Sequence, residues 1–507
     1  MSVKTPSRDV AESPDGPPKL SSTFAERLTA LGAESKANTA PSPEPVVLND
    51  ELAEQLGIDI EWLKSDDGVA FLAGNYTPEG STPIAMAYAG HQFGGFSPLL
   101  GDGRALLLGE ISNDEGELLD LHLKGTGRTP FSRGGDGNAT LPAMLREYVM
   151  AEAMHALSVP TSRALAVVTT GADVRRELLE PGAVLARVAK SHIRVGTFEL
   201  AARRDPELVR ELIDVSIERH YPQLADADVP ALELLKAVAD AQASLIARWM
   251  VLGFVHGVMN TDNVLISGET IDYGPCAFLE AHDPAAVFSS IDRNGRYSYG
   301  NQPLIGQWNL ARLAETLLTF IDDDPDVAVE MATDVLKSFP DQVREHWYEE
   351  MAQKLGLRDR AEDPAVQALS ENLVEMMSRV AADHTGTFRA LADVLRGADS
   401  DSIDLSSDEA WPQWHQRWLD ALESSGANSE SALDDVADAM DAINPLYIPR
   451  NHLVEEALEA ARRGDLEPFV RLLEVTTTPF DRDESRDHFA EPASASFNEG
   501  YQTFCGT

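Results

Sequence analysis

The spacing of apolar residues shifts from short periods to helical ones near residue 200, and that change limits the folds open to this chain. Between about 84 and 200 the periods are short and Gly is dense. "RALLLGEI" (104–111), "LLDLHLK" (118–124), "RALAVVTT" (163–170) and "GAVLARVA" (182–189) read as strands. In the second, Leu121 and Leu123 face one way and Asp120, His122 and Lys124 the other, because side chains alternate across a strand. "LPAMLREYVMAEAMHAL" (141–157) reads as a helix. Thr140 is placed to cap it, Pro142 sits in its first turn, and Leu141, Met144, Leu145 and Tyr148 form an apolar stripe. From about 207 the pattern turns helical, over 207–255, 308–321, 325–339, 341–356, 364–382 and 386–395, with a polar seam near 397–412 and further helices to about 474.

These shifts divide the chain into four parts. Residues 1–83 form an N-terminal segment, mobile through its Pro-, Ser- and acid-rich start and helical around 47–75. A strand-rich lobe covers 84–200 and a helical lobe 201–400. A helical extension follows over 401–507, and its last thirty residues read as loose. The expectation is an α+β fold of two lobes, strand-rich then helical, with a ligand in the cleft between them.

Composition removes several functions. The formal net charge is −43, from 84 acidic and 41 basic residues, and only nine of the basic ones are Lys. Phosphate backbones repel such a surface, so nucleic acid is not an expected partner. No apolar run is long enough to span a bilayer, and the N-terminus lacks the apolar core of a signal peptide, so the protein reads as cytoplasmic. Neither Cys276 nor Cys505 belongs to a zinc-like cluster. Cys505, third from the end, reads either as a tolerated thiol or as a redox-active one pairing with Cys276.

The chemistry-bearing residues stand in the order used by protein kinases. Gly101, Gly103 and Arg104 precede a strand, where backbone N–H groups and a guanidinium can meet phosphate oxygens. Lys124 ends the next strand, and Glu147 on the following helix is placed to position it. "HGVMNTDNVLISGETIDYG" (256–274) keeps a kinase-like spacing of His256, Asn263 and Asp272, with "VLIS" read as a short strand. Asn263 and Asp272 offer oxygens to one hard cation such as Mg²⁺ or Mn²⁺. Val258 stands where a kinase has its catalytic Asp and cannot take a proton, whereas Asp262 can. Arg187 and Arg194 add two cations to Lys124, which suits the terminal phosphate of a triphosphate.

Taken together, "YAGHQFGGFSPLLGDGRA", "LKGTGRTPFSRGGDG", "LREYVMAEAMHAL", "HGVMNTDN", "IDYGP", "GRYSYGNQP", "WNLARLAE" and "NPLYIPRNHL" resemble the selenoprotein O family of kinase-like protein nucleotidyltransferases. The resemblance runs from about Tyr88 to the C-terminus. It implies a protein-kinase-like fold binding ATP in a flipped orientation and AMP transfer to Ser, Thr or Tyr hydroxyls of proteins, the chain itself being one candidate acceptor. It further implies nucleotide contacts by Gly101, Gly103, Arg104, Lys124, Asp136, Gly137, Arg187 and Arg194, support of Lys124 by Glu147, metal binding by Asn263 and Asp272, and proton acceptance by Asp262. It also implies a disulfide partner for the tail cysteine, with Cys276 the candidate. UMP transfer from UTP, conventional phosphotransfer and a non-catalytic nucleotide-binding scaffold are the competing readings.

The acidity has its own consequence. A surface that repels itself at low ionic strength is relieved by screening, as in a high-salt cytoplasm. The thermal unfolding midpoint is expected to rise between low and molar KCl; an unchanged midpoint would exclude salt adaptation.

Overall fold

The computed structural model describes residues 16–113 and 115–504. Cys505, and with it any pairing to Cys276, lies outside the described residues.

An antiparallel sheet carries the N-terminal half. Its strands are β1 (Gly32–Glu34), β2 (Glu44–Leu48), β3 (Ile84–Met86), β6 (Ala105–Ser112), β7 (Leu118–Lys124), β9 (Arg163–Arg175) and β10 (Leu179–Ala189), in the order β1-β3-β6-β7-β10-β9-β2. The short β8 (Ala139–Thr140) pairs with β10, while β4 (Gly90–Gln92) and β5 (Gly95–Ser97) form a separate hairpin. The expected boundary at 83/84 falls inside the sheet, because β1 and β2 come from the N-terminal segment. That segment also supplies the short helices α1 (Thr23–Arg27), α2 (Asp50–Gln55), α3 (Ile60–Lys64) and α4 (Asp66–Leu72).

The alternation expected in β7 is present, but both of its faces are buried. Leu121 and Leu123 enter a core with Leu165, Val168, Val184 and Val188, while Asp120, His122 and Lys124 face a polar interior. β10 pairs with β7 so that Arg187 stands opposite His122 and Leu185 opposite Lys124. Directly opposed residues share a face, so Arg187 joins the polar side.

Helix α5 (Leu141–Ala156) packs on this sheet, and its stripe of Leu141, Met144, Leu145 and Tyr148 is buried as expected. Thr140 precedes the helix with extended backbone, but its hydroxyl makes no capping bond. Pairing of β8 with β10 fixes the entry to the helix instead.

The remaining helices are α6 (Val195–Arg204), α7 (Pro206–His220), α8 (Pro230–Leu252), α9 (Gln302–Ile321), α10 (Pro325–Lys354), α11 (Pro364–Val380), α12 (His384–Leu395), α13 (Trp411–Ser424), α14 (Glu430–Asp441), α15 (Asn451–Arg462), α16 (Glu467–Thr476) and the short α17 (Ala495–Asn498). A second core, centred on Trp411, Trp414 and Trp418, is built from α10 to α14. No helix among the described residues is long and apolar enough to cross a membrane.

Three further expectations are corrected. The helices read as 325–339 and 341–356 are one, α10, with Pro340 inside it. Proline leaves the carbonyl four residues back without its donor. Here that is Leu336 O, which accepts from Gln307 Nε2 at 2.7 Å. "VLIS" is not a strand; only Leu265 bridges, to Arg194, before the chain turns. The tail is docked up to the last described residues. Thr503 N–H donates to Phe288 O at 2.8 Å, and Thr503 Oγ1 to Pro275 O at 2.6 Å.

Replacing Gln307 by Met leaves the Leu336 carbonyl without a donor inside a packed helix pair. Chemical denaturation is expected to show a loss of about 1 kcal/mol.

Candidate active site

Asp272 gathers three cations. Lys124 Nζ, at the end of β7, lies 2.5 Å from Asp272 Oδ1 and 2.6 Å from Glu147 Oε1 on α5. Arg187 Nη1 on β10 lies 2.8 Å from the same Oδ1, and Arg194 Nη1, just before α6, lies 3.1 Å from Oδ2. Burial by itself would raise the Asp272 pKa. Lys124, Arg187 and Arg194 outweigh it and hold the carboxyl well below its ordinary value. Asp272 has φ +65°, a left-handed backbone that costs a non-glycine residue roughly 1–2 kcal/mol. The residue before it is held by His256, whose Nε2 lies 3.0 Å from Ile271 O, so His256 acts as a buried structural hydrogen-bonder.

A second layer aims the cations. Arg187 Nε donates to His122 Nδ1 at 3.1 Å. That places the ring proton on Nε2, which donates to Asp102 Oδ2 at 3.0 Å. Burial lowers the His122 pKa and keeps the ring neutral between an arginine and a carboxylate. Arg194 stacks over the Tyr88 ring at 4.7 Å and also donates to Asp262 O. Its backbone is set by the bridge to Leu265.

The glycine loops close one wall. Gly101 has φ +143°, and a Cβ there would lie 2.5 Å from Phe131 Cγ. Gly137 has φ +73°, and a Cβ would lie 2.1 Å from Gly127 O. Both positions require Gly. Asp136 accepts from Arg176 at 2.8 and 3.0 Å, which ties the loop before α5 to the β9–β10 turn.

Asp262 is in a different environment. It is 9% exposed; Gln92 Nε2 donates to its Oδ2 at 3.0 Å, and its buried Oδ1 has no hydrogen-bond partner. Burial raises its pKa, more than Gln92 and Arg194 lower it. Asn263 Nδ2 donates to Val258 O at 3.0 Å, which leaves the amide oxygen as the atom for a ligand.

All the sequence-chosen residues line one cleft of about 410 Å³: Gly101, Gly103, Arg104, Lys124, Asp136, Gly137, Glu147, Arg187, Arg194, Asp262, Asn263 and Asp272. Sequence reasoning gave no role to Asp102, His122, Gln92 or Asn260. The signal for His122 was present, since it shares the polar face of β7 with Lys124. Gln92 and Asn260 meet partners 170 and 167 positions away.

A family model described as "Protein adenylyltransferase SelO" matches residues 19–477. The chain belongs to the SelO family. It is 54% identical over 493 residues to "Protein nucleotidyltransferase YdiU" of Rhodococcus jostii (strain RHA1), covering 96% of this chain and 94% of that protein. The protein of the same name from Mycolicibacterium smegmatis is 52% identical over 493 residues, covering 96% of this chain and 98% of its own length. That of Cereibacter sphaeroides (strain ATCC 17029) is 52% identical over 491 residues, at 96% and 99% coverage.

In this SelO-family cleft, loss of the Asp272 charge leaves Lys124, Arg187 and Arg194 undercompensated. Asp272→Asn is expected to cost about 3 kcal/mol of stability. Inorganic tripolyphosphate should raise the melting temperature of this variant more than that of the wild type, as read by scanning fluorimetry.

Proposed function

We propose that the chain is a protein adenylyltransferase, moving AMP from ATP to Ser, Thr or Tyr hydroxyls of proteins and releasing pyrophosphate. One observation carries the reading. Two carboxylates of one cleft are pushed in opposite directions, Asp272 held ionised by three cations and Asp262 raised by burial with one oxygen bare. Such a divergence separates a charge-holding role from a proton-accepting one. The family match supports the class of reaction.

The sheet-bearing and helical halves act as the two lobes of a kinase-like enzyme, with ATP flipped between them. Lys124, Arg187 and Arg194 take the terminal phosphates, the most charged end, and leave the α-phosphorus toward Asp262. Gly101, Gly103, Arg104, Asp136 and Gly137 cradle the nucleotide, and Glu147 holds Lys124. The acceptor oxygen attacks the α-phosphorus as the bond to the bridging oxygen of pyrophosphate breaks. The acceptor proton passes to Asp262, and the charge of the departing pyrophosphate is met by the three cations. Val258 in the kinase base position fits this shift in the phosphorus attacked.

The donor set fits a hard cation. Asn263 and Asp272 contribute an amide and a carboxylate oxygen to the cleft, both hard donors. Mg²⁺ or Mn²⁺ held by these two would neutralise phosphate charge and complete its shell with phosphate and water oxygens. The reading places the enzyme in the cytoplasm, acting on protein acceptors, itself included.

The test uses ATP labelled at the α- or the γ-phosphate, with Mg²⁺ or Mn²⁺ and myelin basic protein as a generic acceptor. Label is expected on protein from the α-position alone, and Asp262→Asn should reduce it by about 100-fold or more. Label from the γ-position would establish ordinary phosphotransfer, and binding without pyrophosphate release a scaffold.

A further inference from the structure

The β4–β5 hairpin is fastened to the loop carrying Asp262 by three successive residues. His91 N–H donates to Thr261 Oγ1 at 2.7 Å, Gln92 Nε2 to Asp262 Oδ2 at 3.0 Å, and Phe93 N–H to Asn260 Oδ1 at 3.0 Å. Tyr297 OH donates to the same Asn260 oxygen at 2.5 Å. The turn of the hairpin is Phe93 and Gly94, both with positive φ, at 51° and 81°. Two such residues make a tight turn matched to strand twist, which sets the register that aims Gln92.

The result for Asp262 is an asymmetric carboxylate. Its Oδ2 is held and its Oδ1 is bare. A carboxylate not held in this way turns about its last torsion and presents either oxygen. The bare oxygen is buried against Gly90, where a Cβ would come within 3.1 Å of both Asp262 Oδ1 and Thr261 Oγ1, so the carboxylate has no room to turn toward that side. The hairpin itself does not need the Gln92 amide, because the backbone bonds of His91 and Phe93 already hold it to the loop.

We propose that Gln92 is a positioning residue for AMP transfer. Its amide fixes the turn of the Asp262 carboxylate, which takes the proton of the acceptor hydroxyl as the oxygen–phosphorus bond forms and pyrophosphate leaves. The proposal rests on Asp262 being the proton acceptor.

The test compares full-length wild type, Gln92→Met, Gln92→Asn and Asp262→Asn. Met keeps the length of the side chain without its donor, and Asn ends one methylene short. Single-turnover AMP transfer from α-labelled ATP to myelin basic protein is measured beside the ATP dissociation constant. Loss of a hydrogen bond to a charged group predicts a fall of about 10- to 100-fold in the transfer rate of both Gln92 variants, with ATP affinity unchanged. Unchanged rates in the Gln92 variants, with Asp262→Asn inactive, overturn the proposal and leave the reading of Asp262 standing. A matching loss of ATP affinity overturns it in favour of a purely structural hairpin contact. Full transfer by Asp262→Asn overturns both.

Discussion

The ion cluster around Asp272 is the interaction on which the rest of the molecule depends. Lys124 comes from β7, Arg187 from β10, Arg194 from the turn into α6, and the carboxylate from the loop after His256. Removing any of these charges from water costs several kcal/mol, and only mutual pairing offsets it. No single element can hold its charge in the interior alone. The sheet, the start of α6 and the 256–274 loop are therefore bound to one relative placement, and the cleft exists because that placement is kept.

Helix α5 serves the same cluster at two adjacent residues. Glu147 holds Lys124, while the buried Arg146 donates to Gly274 O at 3.1 Å and Cys276 O at 2.8 Å. Arg146 also reaches Tyr501 OH at 3.1 Å, and Thr503 bonds to Pro275 O. The C-terminal segment thus packs on the same short stretch that follows Asp272. Cys276, in that stretch, is fully buried, and burial pushes its thiol up to about 12. An inert, protonated thiol is the expected state while that packing persists.

Much of the fold is legible locally. The strands around Lys124 and Arg187, and the buried stripe of α5, follow from alternation and helical periodicity, because these elements bury one face or stripe in a regular pattern. The misreadings share one physical cause, a backbone group satisfied by a partner distant in sequence. Pro340 ends a helix in local reasoning, yet α10 continues because Gln307 of α9 supplies the donor that Leu336 O lacks. Thr140 is a good local cap, but sheet pairing does the work of fixing the helix start. The tail lacks periodicity and still docks, through single bonds from Tyr501 and Thr503 rather than an apolar stripe.

The sequence by itself determined which residues meet in the cleft. Lys124, Glu147, Asp262, Asn263 and Asp272 stand in kinase-like order, and all five line it. Tertiary structure alone decided how those residues are tuned. The opposite shifts of Asp262 and Asp272 depend on burial and on charges brought in from β7, β10 and the turn before α6. The hold of Gln92 on Asp262 spans 170 positions of chain. Electrostatic tuning depends on distance in space and on local access to water, and neither is written in the order of residues.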